Sequence, residues 1–173
     1  MRHTNLLASI MTAAGLLATP LWCAGFDNGF VQKAAEGGAA EVQMAQLAQS
    51  KASSQAVKDL ANKLVADHTK ANDNLKPLAT KDNITWPTGL SAKDQAEYNK
   101  LQALSGAEFD REYAKMMLSD HRKDVSEFEK QSTRGGDADL KAFATKTLPT
   151  LKEHLQMAES LPGAKATGNM NKP

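Results

Sequence analysis

The sequence has a single cysteine, Cys23, in 173 residues and none after it. No intramolecular disulfide can form, and the body of the chain has neither a thiolate metal site nor a cysteine nucleophile. Aromatic residues are scarce at 5%, while Ala, Leu, Lys and Gln abound. Such a composition suits helices and lacks the β-branched and aromatic residues of a β-sandwich. There is no excess of one charge either: 21 Lys and Arg face 20 Asp and Glu, a net charge of +1. Without a global field, attraction to nucleic acid or an anionic membrane surface is not expected. No Ser-His-Asp order, phosphate loop or glycosidase carboxylate pair stands out, and Gly37-Gly38 lies within a helical pattern where no phosphate loop can form.

The one long apolar run, Leu6 to Leu17, falls short of the roughly 20 residues of a spanning helix. It follows Arg2 and His3 and precedes Pro20 and the small residues Cys23-Ala24-Gly25. This is the layout of a signal peptide over residues 1–25. Cleavage after Gly25 meets the small-x-small requirement, whereas lipoprotein cleavage before Cys23 would put bulky Trp22 where a small residue belongs. A periplasmic or secreted product with no transmembrane span in its mature form is expected. About 150 residues then remain, enough for one domain.

Four segments carry apolar residues at helical spacing. The first runs from about Asn28 to Lys51, with Asp27 as candidate N-cap and Phe30, Ala34, Gly37, Glu41, Met44, Ala45 and Ala48 along one stripe. The second, about Ser54 to Thr80, carries Val57, Leu60, Leu64, His68 and Leu75, with Ser53-Ser54 as its cap. The third, from near Ser105 to Gly135-Gly136, carries Phe109, Tyr113, Met117, His121 and Phe128; the fourth, Asp137 to about Leu161, carries Leu140, Phe143, Leu151, His154 and Ala158. Pro162-Gly163 ends it. Links within the first and last pairs are short, so each pair should be an antiparallel hairpin. Between the hairpins, Lys81 to Ser105 form a long crossover in which Ser91 to Leu104 could be a short helix. The expectation is an all-α, ferritin-like four-helix bundle over residues 26–163, with a disordered tail over 164–173. The small residues Glu36 to Ala40 and the methionines Met44, Met116, Met117 and Met157 are read as packing rather than as a site.

Glu41, His68 and His121 each fall near the middle of a helix, and His154 a turn or so past the middle of its own. A mid-helix residue keeps its level whichever way the helix runs. Helices 8–10 Å apart, roughly, would therefore converge one carboxylate and three imidazoles in one core layer. Burying them without compensation costs several kcal/mol, roughly, so a partner is required. That partner is either one metal ion, or a closed hydrogen-bond network with Glu41 and a pH-responsive core. Each histidine is directly preceded by an acid, in Asp67-His68, Asp120-His121 and Glu153-His154. Such an acid points about 100° away round the helix, where it can accept the second N–H of a histidine on a neighbouring helix. The alternative for each is an exposed acid paired with lysine.

The segments FVQKAAEGGAAEVQMAQLAQSKA, VADHTKANDNL, FDREYAKMMLSDH and LKAFATKTLPTLKEHLQMAESL resemble the bacterial family called domain of unknown function 4142 over almost the whole mature chain. The resemblance implies an exported protein, often labelled an outer-membrane protein, of the ferritin-like superfamily and without an established activity. Glu41, Asp67-His68, Asp120-His121 and His154 match its motif. Di-iron members of the wider superfamily place Glu three residues before each histidine ligand. Here those positions hold Val65, Leu118 and Leu151, which argues against an oxygen-activating di-iron centre and against iron storage. Three imidazoles and one carboxylate suit Zn²⁺ best, with Cu²⁺, Ni²⁺ or Fe²⁺ as alternatives. Three functions follow: a metal-binding bundle with a binding, sensing or structural role, a metal-free envelope interaction or stress protein, and a metalloenzyme of unknown reaction. Intact-mass analysis of the exported form should show the chain shortened by the N-terminal 25 or so residues. Retention of Met1 would refute the export reading.

Overall fold

The computed structural model describes residues 21–165. Residues 1–20, most of the expected signal peptide, and 166–173, most of the expected tail, lie outside the described residues. Five helices account for 83% of what is described: α1 (Leu21–Lys51), α2 (Gln55–Lys81), α3 (Ala92–Gln102), α4 (Gly106–Arg134) and α5 (Ala138–Ser160). The four long helices and the crossover with its short helix are where the periodicity placed them, except that α1 starts at Leu21 and not near Asn28. No described helix is long and apolar enough to cross a membrane.

α1 packs on α2 and α4 on α5 as antiparallel hairpins; the hairpins then meet through α1–α4 and α2–α5. The crossover runs the length of the bundle. Ile84 and Trp86 pack into the apolar cluster at one end, and Leu90, Leu101 and Leu104 into the cluster at the other. α3 opens with Ser91, whose hydroxyl accepts the Asp94 N–H at 3.1 Å. Gly38 permits close approach of α1 to α2, since a Cβ there would sit 2.8 Å from Asn72 Oδ1. Met44 and Met117 fill the core as expected.

The helix caps differ from expectation. α1 starts at Leu21, so Asp27 lies inside it rather than capping it. Its buried carboxylate instead reaches the α4–α5 turn, accepting from Gln131 Nε2 at 2.6 Å, Gly136 N at 3.1 Å and Asp137 N at 2.9 Å. The Ser54 side chain makes no cap bond for α2. Asp110, from α4, does that work, accepting from the backbone N–H groups of Ser53 at 3.1 Å and Ser54 at 2.9 Å and from the Ser53 hydroxyl. In both places a carboxylate offers four lone pairs to a turn that must otherwise bury its donors, which local side chains could not satisfy as well. Each hairpin's turn is thus held by an aspartate from the other hairpin. Past α5, Gly163 at φ 82° turns the chain back, and Ala164, expected to begin the tail, is buried against the core.

Asp27→Ala should leave a buried amide and two turn N–H groups without an acceptor, at about 2–3 kcal/mol, and lower Tm by about 5–10 °C. Lys33→Ala, which breaks only the exposed ion pair to Glu127, should change stability by less than about 0.5 kcal/mol. Equal melting of the two variants would contradict the stapling role.

Candidate metal centre

Along each long helix, the two apolar clusters leave a gap. On α1 the gap falls between Ala35 and Ala40, with Glu41 beside Ala40; on α2 it falls between Leu64 and Leu75, on α4 between Leu118 and Phe128, and on α5 between Leu151 and Ala158. His68, His121 and His154 occupy the last three gaps, so the four groups form one polar layer across the core. Exposures are 3% for Glu41, 6% for His68, 0% for His121 and 1% for His154. Ring centroids lie 5.6 Å apart for His68–His121, 5.4 Å for His68–His154 and 5.3 Å for His121–His154. One ligand atom from each imidazole comes within 4.8 Å of those of the other two.

Each histidine has one ring nitrogen buried with no hydrogen-bond partner: His68 Nε2, His121 Nε2 and His154 Nδ1. Two of the opposite nitrogens are held. His121 Nδ1 lies 3.0 Å from the Met117 carbonyl, an acceptor that fixes it as the N–H donor. His154 Nε2 lies 2.9 Å from Asp67 Oδ2, across the α2–α5 contact. Acceptors on the outer nitrogen turn a bare lone pair inward, the arrangement by which outer groups orient metal-ligating imidazoles.

Glu41 has Oε2 3.1 Å from His68 Nε2 and Oε1 3.3 Å from His121 Nδ1, yet neither oxygen has an aligned donor. The arrangement is not one point equidistant from all four expected ligands. The imidazoles form one group, and Glu41 belongs to a second group with His121 and Asp124, again within 4.8 Å. Asp124 was not foreseen in the sequence. Its signal is the three-residue step from His121, which puts both on one side of α4.

Of the three acids that precede histidines, only Asp67 meets an imidazole; Lys63 approaches it as well, at 3.1 Å. Burial would raise the Asp67 pKa, but the bonds from His154 and Lys63 outweigh it and the net shift is downward. Asp120 instead pairs with Lys123 at 2.8 Å on its own helix, and Glu153, 58% exposed, pairs with Lys63 at 3.3 Å. Their direction round the helix points to solvent or a cleft, and no neighbouring histidine reaches them there.

Burial dominates the electrostatics. It pushes Glu41 up to about 8, helped by the Asp120 charge and partly offset by the approach of the Asp124 carboxyl. Burial and the Glu41 charge hold Asp124 well above the usual carboxylate range. All three histidines are pulled down: His68 well below its ordinary value by burial and the other two imidazoles, His121 by burial, and His154 to about 4 by burial despite Asp67. Uncharged imidazoles with free lone pairs, beside carboxyl groups that lack a counter-charge, are the donor set a divalent cation requires.

Residues 17–161 match the family model described as "Domain of unknown function (DUF4142)". The chain belongs to that family. No curated protein matches this DUF4142 sequence. Among solved structures, it is similar to the "Crystal structure of DUF305 fragment from Deinococcus radiodurans", with a TM-score of 0.67, 14% identity, and coverage of 78% of this chain and 93% of that one. At that identity the likeness shows the helical-bundle fold alone.

In the metal-free DUF4142 protein the pKa shifts act differently on the two sides of about pH 6.5, the ordinary histidine value. Above it, unfolded carboxyls are ionised while folded Glu41 and Asp124 retain protons, so stability falls as pH rises toward about 8. Below it, three unfolded histidines take up protons that the folded ones refuse, against two carboxyl protons held only in the fold. The two effects oppose each other there. Chelated protein melted across pH 4.5–8.5, roughly, checks this; a monotonic rise to pH 8 would contradict it.

Proposed function

We propose that the protein binds a divalent transition-metal ion in the middle of its bundle. His68, His121 and His154 supply the nitrogen ligands, Glu41 the neighbouring negative charge, and Asp67 the orienting acceptor. The observation that carries this reading is the convergence of three buried imidazoles, each of which keeps one ring nitrogen without an aligned hydrogen-bond partner. A metal-free network would spend those nitrogens on hydrogen bonds, and Glu41 would have aligned donors. Zn²⁺ suits the donor set best, and Cu²⁺, Ni²⁺ or Fe²⁺ are alternatives to be resolved by metal analysis. The N-terminal sequence supports action in the periplasm or outside the cell, where the bundle binds, senses or is stabilised by the ion.

The test is the metal content and melting of protein purified without a histidine tag. The wild type should hold one ion per chain at the histidines, and stripping it with chelator should lower Tm; a ligand present at about 100 times its Kd contributes about 2.7 kcal/mol. His121→Ala should lose both the ion and the chelator sensitivity. An unchanged Tm after complete chelation would overturn the proposal in favour of the metal-free core.

A further inference from the structure

A cleft of about 490 Å³ opens between α1, α3 and α4 on the side of the bundle away from Asp67 and reaches the polar layer from solvent. Its lining includes Gly37, Glu41, Asp94, Glu97, Asp120 and Asp124. Three lysines also line it, each paired with an acid of the same lining: Lys33 with Glu127 at 3.2 Å, Lys93 with Glu97 at 2.9 Å and Lys123 with Asp120 at 2.8 Å, which leaves Glu41 and Asp124 without a lysine. Gly37 stands one turn before Glu41, and a Cβ there would meet nothing within 4 Å, so the approach to the carboxylate is open.

An acidic lining alone would mean little. What sets this cleft apart is Glu41, 97% buried by its 3% exposure, facing the cleft with both oxygens lacking a hydrogen-bond partner. Glu41 and Asp124 come within 4.8 Å of each other at the floor. The third group within reach, His121, has Nδ1 engaged with the Met117 carbonyl at 3.0 Å and remains a donor.

We propose that the cleft floor is a second cation site, in which Glu41 and Asp124 supply carboxylate oxygens, solvent water completes the shell, and the occupant is a divalent ion of the oxygen-preferring class. Two carboxylates with an otherwise aqueous shell are how such ions are commonly held, whereas the imidazoles next to them select borderline transition metals. The site shares Glu41 with the histidine centre but needs neither His68 nor His154, so the two proposals stand or fall separately. Glu41, with one oxygen toward His68 and the other toward His121, lies between them.

Mn²⁺ serves as probe, its depletion from solution followed by electron paramagnetic resonance on the full-length mature chain. Wild type should bind one Mn²⁺, and should still bind it when preloaded with one equivalent of Zn²⁺. Asp124→Asn, isosteric and only half-buried, should weaken Mn²⁺ binding more than about tenfold while leaving Zn²⁺ binding in place. His154→Gln should do the reverse. The outer site is overturned if wild type binds no Mn²⁺, if Asp124→Asn binds it as tightly as wild type, or if one Zn²⁺ per chain displaces it. Mn²⁺ binding with no Zn²⁺ uptake would instead remove the histidine centre and leave this site standing.

Discussion

A carboxylate buried to 97% with no aligned donor, set among three buried imidazoles, is the constraint on which the rest of this structure turns. Taking such groups out of water costs several kcal/mol, roughly, unless something compensates for them. The surrounding sequence is arranged to bring them together all the same. Each long helix contributes one group, and each contribution falls at the boundary between two apolar clusters. The layer therefore divides the core into two halves, one around Leu60, Tyr113 and Met117 and the other around Phe30, Phe128 and Phe143. A slip of any helix by one turn would drive an ionisable group into one of those halves, so the layer fixes helix register as well as making a site.

Holding four helices in that register falls to contacts at the two ends. Asp27 grips the α4–α5 turn and Asp110 the α1–α2 turn, so each hairpin is tied to the other through backbone amides that would otherwise be buried unpaired. Because Glu41 and His68 come from one hairpin and His121 and His154 from the other, the site exists only when the hairpins dock. The Asp67–His154 bond, at 2.9 Å, crosses the same boundary in the middle of the molecule. Fold and site thus depend on the same inter-hairpin contacts.

Much of this was legible from residue spacing. Helical periodicity located the four long helices, link lengths separated hairpins from crossover, and mid-helix position brought the histidines to one level. The adjacent acids were legible only as candidates. An acid one step before a histidine points away from it, and which helix lies there is a property of packing: α5 lies beside α2 and offers His154 to Asp67, while Asp120 and Glu153 meet lysines. Asp27 and Asp110 were hidden for the same reason, since their partners lie 104 and 57 positions or so away in the chain. Asp124 had a local signal, its step of three from His121, but its value lies in Glu41 and the cleft, which only the assembled bundle shows.

X-ray absorption spectroscopy of the Zn²⁺-loaded protein tests the central claim most directly, because it reports the ion's own neighbours. The account predicts a nitrogen and oxygen shell at about 2.0–2.1 Å, with the outer-shell scattering of three imidazole rings. A spectrum of oxygen ligands alone, without imidazole scattering, would place the ion elsewhere and contradict the histidine centre.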